Sequence, residues 1–126
     1  MPLYGPKFTE TEFRSGKNIL ASEHFQFIEG GATLDATKFP VGYNDVGKLI
    51  ARNKATGKFE PVAHLEDLSE YDNFGILNVD FENDGVTDLI AGEVIVRGSV
   101  YEAKLADEVP QAFKDANPLI RYVTHI

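Results

Sequence analysis

The residues of this chain that could do chemistry by type and spacing are densest in Asp80-Phe81-Glu82-Asn83-Asp84-Gly85-Val86-Thr87-Asp88. Oxygen donors at alternate positions followed by glycine resemble a calcium loop. Ca²⁺ takes about six to eight oxygens, and a sharp turn at Gly85 would let the Val86 carbonyl join the carboxylates. Asp80, Glu82, Asp84 and Asp88 fill the first, third, fifth and ninth positions, but the twelfth is Ala91, where an EF-hand needs a bidentate Glu. Some β-repeat calcium loops do without that Glu, so calcium at Asp80 to Asp88 stays as an alternative. A polar reversal between two strands explains the same residues more simply, and no metal site or cofactor is expected.

Other constellations are weaker. His24, His64 and His125 are far apart, and none has a partner at helical or strand ligand spacing. Ser15, Ser22, Ser69 and Ser99 include no G-x-S-x-G elbow. The glycines at 30, 31, 42, 47 and 57 fit neither the dinucleotide nor the Walker pattern. Tyr43, Phe59 and Tyr71 could form an aromatic platform for sugars, although such residues more often belong to a core. With no cysteine in the chain, a disulfide framework, a thiolate zinc site and a cysteine nucleophile are all excluded. No catalytic residue is therefore assigned.

The composition fits one domain with one modest core: 126 residues, 43% of them hydrophobic. Nine Phe and five Tyr, together with many β-branched residues, lean toward sheet. A formal charge of −8 opposes non-specific binding to phosphate backbones, so nucleic acid is not expected as a partner. No cationic and then apolar leader opens the chain, and no apolar run approaches the roughly 20 residues needed to span a bilayer. The expectation is a soluble protein made in a cytoplasm, with no membrane partner.

The elements that must position these residues read as strands. Residues 1–18 hold Pro2, Pro6, Gly5 and Gly16 with isolated Tyr4, Phe8 and Phe13, the pattern of an extended arm with spaced anchors. Phe25 and Phe27 alternate with Gln26 before the Gly30-Gly31 turn, and a further strand or loop follows over 32–39. Val46 to Arg52 and Phe59 to Val62 flank a polar tip as a hairpin, with Gly57 supplying positive φ and Pro61 placing the return strand at an edge or at its end. Residues 64–73 read as one helical turn or a surface loop. Leu77, Val79 and Phe81 share one face of a predicted strand, and Val94, Val96 and Val100 one face of another, with Gly92 and Gly98 marking bends or bulges. Asp107 or Glu108 is placed to cap a short helix with Pro110 in its first turn and Ala112, Phe113 and Ala116 on its apolar side; Asn117-Pro118 ends it. A strand-like tail, Leu119 to Ile126, follows.

The order and spacing of these pieces resemble the head decoration proteins of tailed phages, the family typified by the lambda decoration protein. Gly47-Lys48-Leu49-Ile50-Ala51 with Ala55-Thr56-Gly57-Lys58-Phe59-Glu60-Pro61 is similar to that family's hairpin, Gly75-Ile76-Leu77 to its next strand, and Val94-Ile95-Val96-Arg97-Gly98-Ser99-Val100 to its valine-rich strand interrupted by glycine. The similarity spans roughly residues 46–104. It implies a mainly β domain, a small β-barrel or β-tulip-like fold, over residues 19–126, with one short C-terminal helix and an extended N-terminal arm over residues 1–18. It also implies a non-enzymatic virion protein, often a homotrimer, that binds the major capsid protein on the outside of an expanded head. The arm, with Tyr4, Phe8, Phe13, Ile19 and Leu20 as contact residues, would pair with capsid strands. The alternative expectation is a β-sandwich carbohydrate-binding or adhesion module.

Overall fold

Leu49-Ile50-Ala51, Ile76-Leu77 and Val94-Ile95 are runs of consecutive apolar residues, which a strand buries only when both of its faces are covered. The computed structural model, which describes residues 18–65 and 67–124, covers both faces. It is mainly β, a curled half-barrel sheet with one short helix. Among the described residues the strands are β1 (Gln26–Phe27), β2 (Ala32–Leu34), β3 (Gly42–Asn44), β4 (Leu49–Asn53), β5 (Phe59–Pro61), β6 (Tyr71–Leu77), β7 (Phe81–Asn83), β8 (Leu89–Ala91), β9 (Val94–Tyr101) and β10 (Ile120–Val123). The large sheet runs β10-β9-β6-β4-β5-β2-β8, β1 adds to β9, and β3 pairs with β7 in a separate two-stranded sheet.

Two cores lie on opposite faces of the shared central strands. Leu49, Ala51, Ile76, Ile95 and Val100 enter one, with Ile19, Val46, Val62 and Phe113. Ile50, Leu77 and Val94 enter the other, with Leu34, Phe39, Phe59 and Ala91. The expectation that Val94 and Val100 share a face is corrected here, since the two lie in different cores. Pairing shifts register between Ile95 and Arg97, and Gly98 takes φ 141°, so one extra residue reverses the side-chain parity beyond the bulge.

The hairpin forms as read, with Ile50 opposite Pro61 and Arg52 opposite Phe59, and Gly57 turns at φ 77°. Pro61 is the last residue of β5, which lies inside the sheet between β4 and β2 rather than at its edge. The strand expected to run through Val79 and Phe81 stops at Leu77. Phe81 opens β7 instead, yet Leu77, Val79 and Phe81 still pack against the same core, because the bend between them keeps their shared burial.

The helix α1 (Gln111–Ala116) is capped by Pro110, whose carbonyl accepts from the Phe113 and Lys114 amides. The expected caps Asp107 and Glu108 lie upstream of it. Ala112 and Ala116 are exposed, leaving Phe113 as the buried anchor, edge-on to Phe74 at 5.7 Å. After Asn117 the chain returns as β10, parallel to β9.

Candidate functional site

The acidic loop resolves into separate structural contacts. Asp84 Oδ1 accepts from the Val86 and Thr87 amides, both at 2.8 Å, and these bonds hold its carboxyl below the usual range. Asp88 pairs with Lys58 Nζ at 2.7 Å and accepts from the Ala36 amide at 2.9 Å; the lysine contact is the main cause of its lowered pKa. Asp80 takes the Tyr43 hydroxyl at 2.9 Å. Asn83 turns inward and donates to the carbonyls of Ala36 and Phe39, both at 3.0 Å. These partners draw the carboxylates toward different parts of the fold, and no group of three potential metal ligands converges among the described residues.

The proposed sugar platform is likewise dispersed. Phe59 is buried in the second core. Tyr71 donates to Glu60 Oε1 at 2.7 Å, and its phenol is pushed up to about 12, first by burial and then by that carboxylate. Tyr43 alone is exposed, on the β3–β7 sheet. His64 lines a 480 Å³ cleft with Glu102 and Glu108, where Glu102 already pairs with Lys114 at 3.2 Å. His24 lies in a different hollow, and His125 falls outside the described residues.

No protein-family model, curated protein or solved structure matches this chain. The candidate site therefore rests on the geometry of the molecule itself, and the geometry that stands out is where the leading segment joins the sheet.

Tyr4, Phe8 and Phe13 lie outside the described residues. At the junction, the Ala21 amide donates to Ser99 O at 2.9 Å and the Tyr101 amide to Ile19 O at 2.8 Å, with Leu20 bridged antiparallel to Val100. The chain thus joins the domain in strand geometry, beside the C-terminal half of β9. Ile19 is 0% exposed, so its side chain belongs to the chain's own core and not to a contact surface. Leu20 is half-buried, and its amide donates to Asn18 Oδ1 at 3.1 Å.

Among the described residues, five of the eight exposed large hydrophobic residues, Val41, Tyr43, Val86, Leu89 and Ile90, fall in two short stretches around β3 and β8. Among the described residues, strand β8 ends the large sheet and pairs on one side, with β2. An apolar strand at a sheet edge is a template for another strand, and Ile90 on it is 76% exposed. What sequence reasoning missed is the burial of asparagines 44, 83 and 117, since asparagine in a turn-rich sequence carries no signal separating a surface turn from an interior brace.

Proposed function

We propose that this chain is a phage capsid decoration protein that binds the outside of an expanded head and reinforces it, with its leading segment adding to strands of the major capsid protein. The observation that carries the reading is the junction at Ile19–Ala21. A segment that joins the sheet already hydrogen-bonded as a strand is set up to continue as one on another edge, where main-chain bonds give affinity and alternate side chains give specificity. The homotrimer expected from the family resemblance fits the same mode of action, because three arms on one particle multiply weak contacts through effective concentration.

Deleting residues 1–17 tests this directly, leaving Asn18 to brace Leu20. The truncated chain is expected to keep its circular dichroism spectrum and cooperative melt while no longer co-sedimenting with expanded shells assembled from the capsid protein of the same genome. Undiminished co-sedimentation would remove the arm from the account. Binding of the isolated protein to glycans or cells would favour the adhesion reading.

A further inference from the structure

Sheet edges are commonly guarded by lysine, proline or a bulge. Strand β8, which ends the sheet among the described residues, has none of these: Leu89-Ile90-Ala91 is wholly apolar and pairs in plain register with Leu34, Thr33 and Ala32. At the other end of the sheet β10 carries the exposed Arg121. The direction of the β8 backbone follows from Gly31. A Cβ there would stand 3.2 Å from Ala91 O, so that carbonyl points toward β2. In an antiparallel pair the bonding groups of successive residues alternate in direction, so Leu89 also bonds toward β2 while Ile90 turns its N–H and C=O to the edge. The Ile90 side chain is 76% exposed. Leu89 lies opposite Leu34 of the second core and is still 37% exposed, so that core is incompletely covered along β8.

We propose that a second copy of this chain occupies the edge, its β8 antiparallel to the first about a two-fold axis at Ile90, so that each Ile90 N–H donates to the Ile90 carbonyl of the other copy. In this register the strand is complementary to itself. Leu89 faces Ala91 of the second copy, a large residue against a small one, and Ile90 meets Ile90 as a β-branched pair. Asp88 faces Gly92 and Thr87 faces Glu93, so no acid stands opposite an acid. The acids beside the strand are also engaged within their own chain: Asp88 by Lys58 and the Ala36 amide, Asp84 by the Val86 and Thr87 amides, and Glu93 by Asn78. A two-fold contact uses one patch twice, so a single strand supplies both halves of the match, whereas a foreign strand would have to carry the pattern independently. The inference stands without the capsid reading, and a two-fold contact at β8 is distinct from the three-fold contact of the homotrimer proposed above.

Sedimentation equilibrium of the full chain, from about 10 µM to about 1 mM at about 0.15 M salt, tests the proposal, the range being set by the weakness expected of a short edge. The mass is expected to rise with concentration as copies pair. Ile90→Lys, which puts a charge at an already exposed position, is expected to weaken that association about tenfold or more while leaving the circular dichroism spectrum and the melt unchanged. The register is read separately, since the chain has no cysteine of its own. Ile90→Cys is expected to form an intermolecular disulfide about tenfold faster or more than Val86→Cys; Val86 is 81% exposed, but two copies of it would stand about 20 Å or more apart in the proposed pair. A mass fixed at that of a monomer or a trimer, association indifferent to Ile90→Lys, or equal rates at the two cysteines would each overturn it. Should Ile90→Lys fail to fold, the cysteine comparison decides alone. Co-sedimentation with shells is scored separately, so loss of the capsid reading and loss of this inference give different results.

Discussion

Glu93 is a half-buried carboxylate whose pKa is raised by desolvation, against a hydrogen bond from Asn78 Nδ2 at 3.2 Å that favours the charged form. The folded state holds this proton more tightly than the unfolded chain. The group is therefore neutral and harmless at low pH, and ionising it opposes folding as pH rises through its ordinary value of 4.5 and beyond. Glu93→Gln, which keeps an acceptor for Asn78, is expected to raise the urea midpoint at pH 7 and to leave it unchanged well below 4.5. Solvent screening keeps the gain small. Equal midpoints at pH 7 would show that Asn78 and water already offset the burial. Asn117 works in the opposite sense, because its buried side chain is fully engaged: Nδ2 donates to Phe74 O at 2.9 Å and Oδ1 accepts from the Leu119 amide at 3.1 Å. It is legible in the sequence only as a helix stop before proline.

Between elements, the tightest constraint is the antiparallel pairing of β6 with β9. Gly75 on β6 has no space for a side chain: an added Cβ would stand 2.6 Å from Val94 Cγ1 and 3.0 Å from Ile95 O. The backbone carbonyl cannot move without breaking the pairing of Ile95 with Ile76. Gly75→Ala is expected to destabilise the fold by about 1–3 kcal/mol through overpacking, read as a lower midpoint in chemical denaturation. An unchanged midpoint would mean that the strands can separate at that point at no cost. The existence of most elements was legible, because alternation, turn residues and Pro118 act locally. Their boundaries and parity were not. The β9 bulge moves Val100 to the opposite core from Val94, and a bulge is set by what the neighbouring strands can pair with.

At the scale of the molecule, the two cores are joined through strands that serve both. Strands β4, β6 and β9 each send neighbouring residues to opposite faces, so neither core can open without loosening the other. Phe113→Ala, which removes the buried anchor of α1, is expected to cost about 3–5 kcal/mol and to leave a single cooperative transition, with near- and far-ultraviolet dichroism coinciding. Two separated transitions would show the cores to be independent. What the sequence by itself determined is the class of the protein: mainly β, one short helix, no cysteine chemistry, an acidic surface and a leading segment of distinct composition. Those properties are sums over residues or patterns within a few positions, which the chain carries before it folds. Only the tertiary structure decided that Ile19 is core, that the acids of residues 80–88 part company, that Phe59 is interior while Tyr43 is surface, and that Ile90 stands on the strand that ends the sheet. Each of these depends on strands far apart in sequence coming into register, and local patterning does not encode that register.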